Sequence, residues 1–281
     1  MSNRSKGHLI LEFLLYPSLL VLSMVILHFL AGTVKLDIDS SDAQRDFNTA
    51  IGTALLSGVF LFSIRVIQKQ AAKNLYSMLN VIGKRNEFWL HRKKLSEQFA
   101  KHLIWSVAVS FIMPLFYMLS EGLLVRLHEK EVFIVAVGAI PFWLLLTLFV
   151  LKLITVNRYS WKILFGRDID LVDKLKLYSR VMKMAMITLA TIGLVLAVIP
   201  VFWVNQPIHF FDIATLIFLL SLIVSLLFAP FVYIAFIVRK VKYALAIDID
   251  KRVDKLIKES VVYERSQEIE ELLYIKEKYC N

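Results

Sequence analysis

The sequence predicts an all-α fold: a polytopic integral membrane helical bundle with about six transmembrane helices, cytosolic helical hairpins and a helical C-terminal tail. Three observations predict it. Six long runs carry no Asp, Glu, Lys or Arg; the basic residues alternate between successive connections; and the inner connections show helical periodicity where the outer ones are too short to fold.

The runs are 13–34, 47–64, 103–120, 132–151, 184–211 and 213–238. Each is roughly 18 residues or longer, and about 20 residues cross a hydrocarbon core. Their weight shows in the composition, which is 58% hydrophobic and 20% charged with a mean hydropathy of +0.66. Soluble domains are nearer half apolar and about a quarter charged. Arg4 and Lys6 before the first run resemble a signal-peptide n-region. The apolar stretch is too long for an h-region, however, and Leu30-Ala31-Gly32-Thr33 makes a poor cleavage site, so a retained first span is expected.

Orientation follows from Lys and Arg. The N-terminus, 65–101, 152–183 and the tail from Arg239 hold 2, 9, 8 and 10 of them, 29 of the 33 in the chain. Lys35, Arg45, Arg126 and Lys130 make up the other side. The basic side faces the cytosol, which places both termini there, in a multi-pass protein of the cell (inner) membrane. The net charge of +10 is then a cytosolic face near anionic headgroups. Nucleic-acid binding needs a reader module, and none is legible.

The expected organisation is a six-span bundle over 1–238 with cytosolic helical extensions at 65–101 and 152–183, followed by an amphipathic tail over 239–281. Residues 63–80 continue the second span without proline, and Gly83-Lys84-Arg85 makes a turn. Asn86 then caps a helix over 87–101, on which Phe88, Leu95 and Phe99 recur at helical spacing. Residues 157–180 repeat the arrangement around Phe165-Gly166. Trp89, Trp105, Trp161 and Trp203 fall near the expected interfaces. In the tail, Ile249, Val253, Leu256 and Ile257 form one stripe, and Ile269, Leu272 and Leu273 a second, extended by Lys276. The segment 168–176 resembles 248–258, through either duplication or the shared chemistry of charged amphipathic helices. Asp37, Asp39, Asp42 and Asp46 loosely resemble an oxygen-ligand calcium loop but lack the EF-hand glycine pattern, which favours a solvated acidic loop.

Chemistry-bearing residues are few. His28 is an ionisable side chain deep within an uncharged run. Intramembrane ionisable groups carry a functional hypothesis by default, here a structural hydrogen bond first and a proton relay second. Pro17, Pro114, Pro141, Pro200 and Pro230 lie in runs. Each removes a helix hydrogen bond and favours a kink, and Pro114, Pro141 and Pro230 are the candidate hinges. Ala50, Ala54 and Gly58, and likewise Ser221, Ser225 and Ala229, form small-xxx-small faces suited to close helix packing or a subunit interface. Lys84, Arg85, Arg92, Lys93 and Lys94 form a candidate cytosolic basic surface. Glu87 and His91, four apart, are at most two metal ligands, and a solvated face is the simpler reading.

One cysteine, Cys280, allows neither a disulfide nor a multi-cysteine metal site, and its place before Asn281 is not a prenylation box. Hydrolase, metalloprotease and phosphate-loop motifs are absent, so no cofactor and no enzyme activity are expected. The first functional expectation is a channel-like or permease-type subunit acting through a complex. The alternative is a pore-free interaction protein such as an immunity, exclusion or assembly factor. A solute transporter ranks third and a lipid-active enzyme last. Each expects the bilayer as a partner, with a protein partner or self-association.

Overall fold

A computed structural model describes residues 3–34, 40–120, 123–165, 171–206, 210–258 and 266–280, with side chains at 3–12 and over most of 210–231 outside the description. Seven α-helices account for the described residues, with no strands among them: α1 Asn3–Ala31, α2 Ser41–Val81, α3 Phe88–Ser120, α4 Lys130–Phe165, α5 Leu171–Val198, α6 Phe210–Lys258 and α7 Ser266–Cys280. Helices α1 to α5 are each long and apolar enough to cross a membrane. The sixth apolar run lies on α6, where most side chains fall outside the described residues.

Helix α2 is the axis. It starts six residues before its uncharged run, because Ser40 in extended backbone caps it, the hydroxyl accepting from Ala43 N–H at 3.2 Å. It ends at a glycine turn: Gly83 takes φ +69, Lys84 N–H donates to Leu79 O at 2.8 Å and Gly83 N–H to Asn80 O at 3.2 Å. That paired bonding with glycine in the left-handed region is the Schellman termination. A 3-10 turn over Arg85–Glu87 then leads into α3 at Phe88, one residue later than the sequence expects. The same device ends α1, where Gly32 has φ 82 and Thr33 N–H donates to His28 O at 3.1 Å. The stretch screened above as a cleavage site is thus a helix C-cap.

Two apolar cores are stacked along α2. The first joins Leu56, Phe60, Ile64 and Ile67 to Leu145, Leu148, Phe149 and Leu153 of α4 and Met184 and Ile192 of α5. Phe60 sits 5.4 Å from the Phe149 ring and 6.0 Å from Phe142. The second joins Met78 to Leu164 of α4, Leu177, Tyr178 and Val181 of α5, and Leu245 and Ile249 of α6, with Leu272 and Ile275 of α7 packed on it. The boundary expected at 238 falls inside α6, which runs unbroken for 49 residues, about 74 Å. The first apolar stripe of the tail is therefore the lower half of a continuous helix. The second, on α7, folds back beside it, with Lys276 Nζ 2.5 Å from Asp250 Oδ1.

Along the apolar runs the surface outside these cores is apolar. On α3, Ile104 and Phe116 are 71% and 68% exposed, and Leu14, Leu19, Leu22 and Leu30 of α1 face outward. Water-soluble monomers rarely expose apolar patches on that scale. A lipid-facing surface has the opposite requirement.

Candidate functional site

The polar face of α2 below its apolar run builds the principal site. Gln70, Asn74 and Ser77 recur at i, i+4 and i+7, which puts them on one stripe. Lys73 and Asn80 border that stripe. Helix α5 presents Arg180 and Lys183, three residues apart and so about 5–6 Å apart at Cβ. Together they line a cleft of about 250 Å³. Met184 and Ile187, one turn further along α5, continue its wall into the apolar run.

The cleft is cationic, and its cations form no ion pair among the described residues. The ion pairs of the basic side use other residues: Lys84–Glu87 at 3.1 Å, Lys176–Asp173 at 2.9 Å and Arg252–Asp248 at 3.0 Å. Among the described residues no carboxylate lies within ion-pair distance of Lys73, Arg180 or Lys183. The sequence explains this. No Asp or Glu occurs between Asp46 and Glu87, or between Asp173 and Asp212, so neither helix carries an acid within a turn of these cations. Lys and Arg only donate, whereas Ser, Asn and Gln can both donate and accept. The arrangement suits an oxyanion.

A second constellation joins α3 to α4. His91 Nδ1 meets the Tyr159 hydroxyl, and His91 Nε2 lies 3.4 Å from Glu87 Oε2. His91 is therefore partly buried between helices, where the sequence suggests a solvated face. About three turns further along α3, His102 Nε2 is 3.4 Å from Thr155 Oγ1. Lys152, 8% exposed, sets its ammonium 4.9 Å from the Phe99 ring centroid, a cation–π contact in place of a carboxylate. No group of three or more His, Cys, Asp or Glu that could hold a metal occurs among the described residues.

The far end of α2 is a fastener. Asn48 donates its amide to Val204 O at 2.7 Å and Phe202 O at 3.4 Å, and accepts from Gln44 at 2.8 Å. Gln206 donates to Ser41 O at 2.7 Å. These bonds tie α2 to the 3-10 turn Ile199–Trp203. Pro200 sits in that turn, just past the end of α5, and so stops a helix instead of kinking one.

The residues singled out in the sequence are dispersed. Ala50, Ala54 and Gly58 are buried on α2, and a Cβ on Gly58 would strike Val21 and lie 3.3 Å from Pro17 O, so α1 packs there. Ser221 is exposed on α6, while Ser225, Ala229 and Pro230 have side chains outside the described residues. Pro114 and Pro141 lie inside α3 and α4. His28 is buried with Nδ1 lacking a partner among the described residues, its ring against Gly138. The acids Asp37 and Asp39, like residues 166–170, lie outside the described residues, whereas Asp42 and Asp46 fall in the first turns of α2 and suit its dipole.

Lys84, Arg85, Arg92, Lys93 and Lys94 are exposed at the hairpin tip, with Arg85 over Tyr76 at 5.1 Å and Arg92 over Trp89 at 5.1 Å. They take no part in the cleft. Lys73, Arg180 and Lys183 drew no attention in the sequence, because each is an ordinary basic residue until α2 meets α5. The acid-free stretches on both helices were the available signal. No protein-family model matches the chain, and neither a curated protein nor a solved structure is similar to it.

Proposed function

We propose that this chain is a pore-free, non-enzymatic interaction protein of the cell membrane, with six spans, both termini in the cytosol and its binding surfaces on the basic face. The observation that carries the reading is the contrast of its two levels. At the level of the apolar runs, the interior between α2, α4 and α5 is filled by Phe60, Ile64, Leu148 and Phe149. The cation-lined cleft opens only beyond them, among residues 70–80 and 180–187. A conduit needs polar groups or water along the spans, and this part of the interior is mainly hydrocarbon, with the buried hydroxyls of Ser57, Thr188 and Thr191 spent on carbonyls of their own helices. On this reading the basic hairpins and the α6–α7 pair receive a protein partner beside anionic headgroups.

Two measurements test it. In a Cys280→Ser background, single cysteines placed at 37–46 and 205–212 react with an impermeant reagent from outside, and those at 84–94 do not; the reverse pattern inverts the protein. Proteoliposomes carrying the chain leak ions and small solutes no faster than protein-free vesicles. A specific conductance overturns the pore-free reading and restores the channel-like subunit.

A further inference from the structure

We propose that the cleft between α2 and α5 is a binding site for a phosphate group, held by Arg180 and Lys183 from one wall and Lys73 from the other, with Asn74 and Ser77 completing its hydrogen bonds. The residue types fit that chemistry better than any other single ligand. A phosphate oxygen cluster accepts several hydrogen bonds at once. Arg180 supplies a planar fork matched to two of those oxygens, and the two lysines supply compact charge. Three exposed cations line one cleft, with no carboxylate among the described residues within ion-pair distance of them. A bound dianion or monoanion is the missing partner.

Size and position narrow the ligand. The volume, about 250 Å³, falls just below the range of small-molecule pockets, which run from about 300 Å³ upward. It admits a headgroup more readily than a nucleotide. The wall ends in Met184 and Ile187, so an apolar continuation of the ligand has a surface to lie against. Basic pockets between helices on the cytosolic side take anionic headgroups. The shared chemistry is a phosphate oxyanion, and its two sources are a glycerophospholipid headgroup and a soluble phosphate ester. The lipid source rests on the orientation proposed above; phosphate binding does not.

The test uses the full chain in a neutral maltoside detergent. Thermal unfolding is followed with phosphatidylglycerol, phosphatidylcholine, glycerol 3-phosphate or inorganic phosphate added, and retained lipid is read by native mass spectrometry. Phosphatidylglycerol should raise the midpoint and stay bound, and phosphatidylcholine should do neither. The K73Q/R180Q/K183Q variant should lose about tenfold or more in apparent affinity, as expected for charge-assisted bonds. The K84Q/R92Q/K93Q variant, which removes equal charge from the hairpin tip, should stay within about twofold.

A midpoint raised by inorganic phosphate or glycerol 3-phosphate assigns the soluble source. A rise with phosphatidylglycerol alone assigns the lipid. If no phosphate compound acts on the native chain, or if both triple variants lose affinity equally, the site is refuted and only diffuse surface charge remains. Should the cleft triple variant fail to fold, R180Q alone and Ser77→Leu, which fills the cleft without removing charge, decide the matter by the same readout. Vesicle leakage is independent of all these arms, so loss of the phosphate site and loss of the pore-free reading are told apart.

Discussion

The two halves of α2 are built on opposite plans. Toward the far end the helix carries small residues, Ala50, Ala54 and Gly58, that are buried in the bundle, and one amide, Asn48, whose donors are spent on the carbonyls of Phe202 and Val204. Toward the basic end the same helix turns Gln70, Asn74 and Ser77 to a cleft whose cations have no carboxylate beside them among the described residues. One half fastens its neighbours, and the other turns polar side chains toward the cleft, with Asn74 donating to Met78 Sδ at 3.7 Å within its own helix. Burial without partners is costly, so capacity left open at a solvent-reaching surface marks where a ligand can be gained cheaply. The contrast predicts that substitutions in the far half act on stability and those in the basic half act on binding.

The sharpest test of the fastening half is Gly58→Leu. Its new side chain has no room, because a Cβ alone would meet Val21 and the Pro17 carbonyl of α1. Overpacking of this kind costs about 3 kcal/mol, expected as a large drop in the unfolding midpoint in neutral detergent. A midpoint within a degree of the native chain would mean that α1 does not pack here as described. Asn48→Ala comes next. It leaves two carbonyls without their donor, at about 2 kcal/mol for the lost bonds, and it should speed hydrogen exchange at the 3-10 turn around residues 199–203. Unchanged exchange there would remove Asn48 from the fastener.

How much of this was legible differs between the halves for a physical reason. The apolar runs and the glycine turn at Gly83 are local signals, set by residues within a few positions of one another, and the helices and the hairpin follow from them. The start of α2 is local too, but the acids at Asp42 and Asp46 suggested a solvated loop, whereas Ser40 and the helix dipole recruit them into the first turns. The continuity of α6 through 238 was hidden because a change from apolar to charged composition reads as a boundary, although nothing in a helix backbone requires one. The cleft was not legible at all as a site. Its walls come from residues about a hundred positions apart, and each cation alone resembles the many others on the basic side.

At the junction of the two halves with the turn, Gly83→Ala should cost about 1 kcal/mol, since φ +69 is strained for any residue with a Cβ. Open space surrounds that position, so no packing cost is added. The measured loss therefore isolates backbone strain, and Gly83→Asn, which tolerates the left-handed region better, should recover part of it. Equal losses for Ala and Asn would show that the cost has another origin.

The smallest expected effect carries the most weight for the comparison. In ligand-free neutral detergent, K73Q/R180Q/K183Q should leave stability within about 0.5 kcal/mol of the native chain, as for surface positions without special contacts. The sign should be slightly stabilising at low salt. Three like charges share one cleft, and no carboxylate among the described residues gains from them, so removing them relieves repulsion and breaks no ion pair. Salt supplies the check. Screening acts over about 10 Å at 0.1 M, so the advantage of the variant should fade as ionic strength rises, while the Gly58→Leu and Asn48→Ala losses, which come from packing and buried hydrogen bonds, should not move. A loss of more than about 1 kcal/mol for the triple variant, independent of salt, would mean that these side chains hold α2 to α5. The basic half would then be a second fastener, and the distinction between the two halves of α2 would fail.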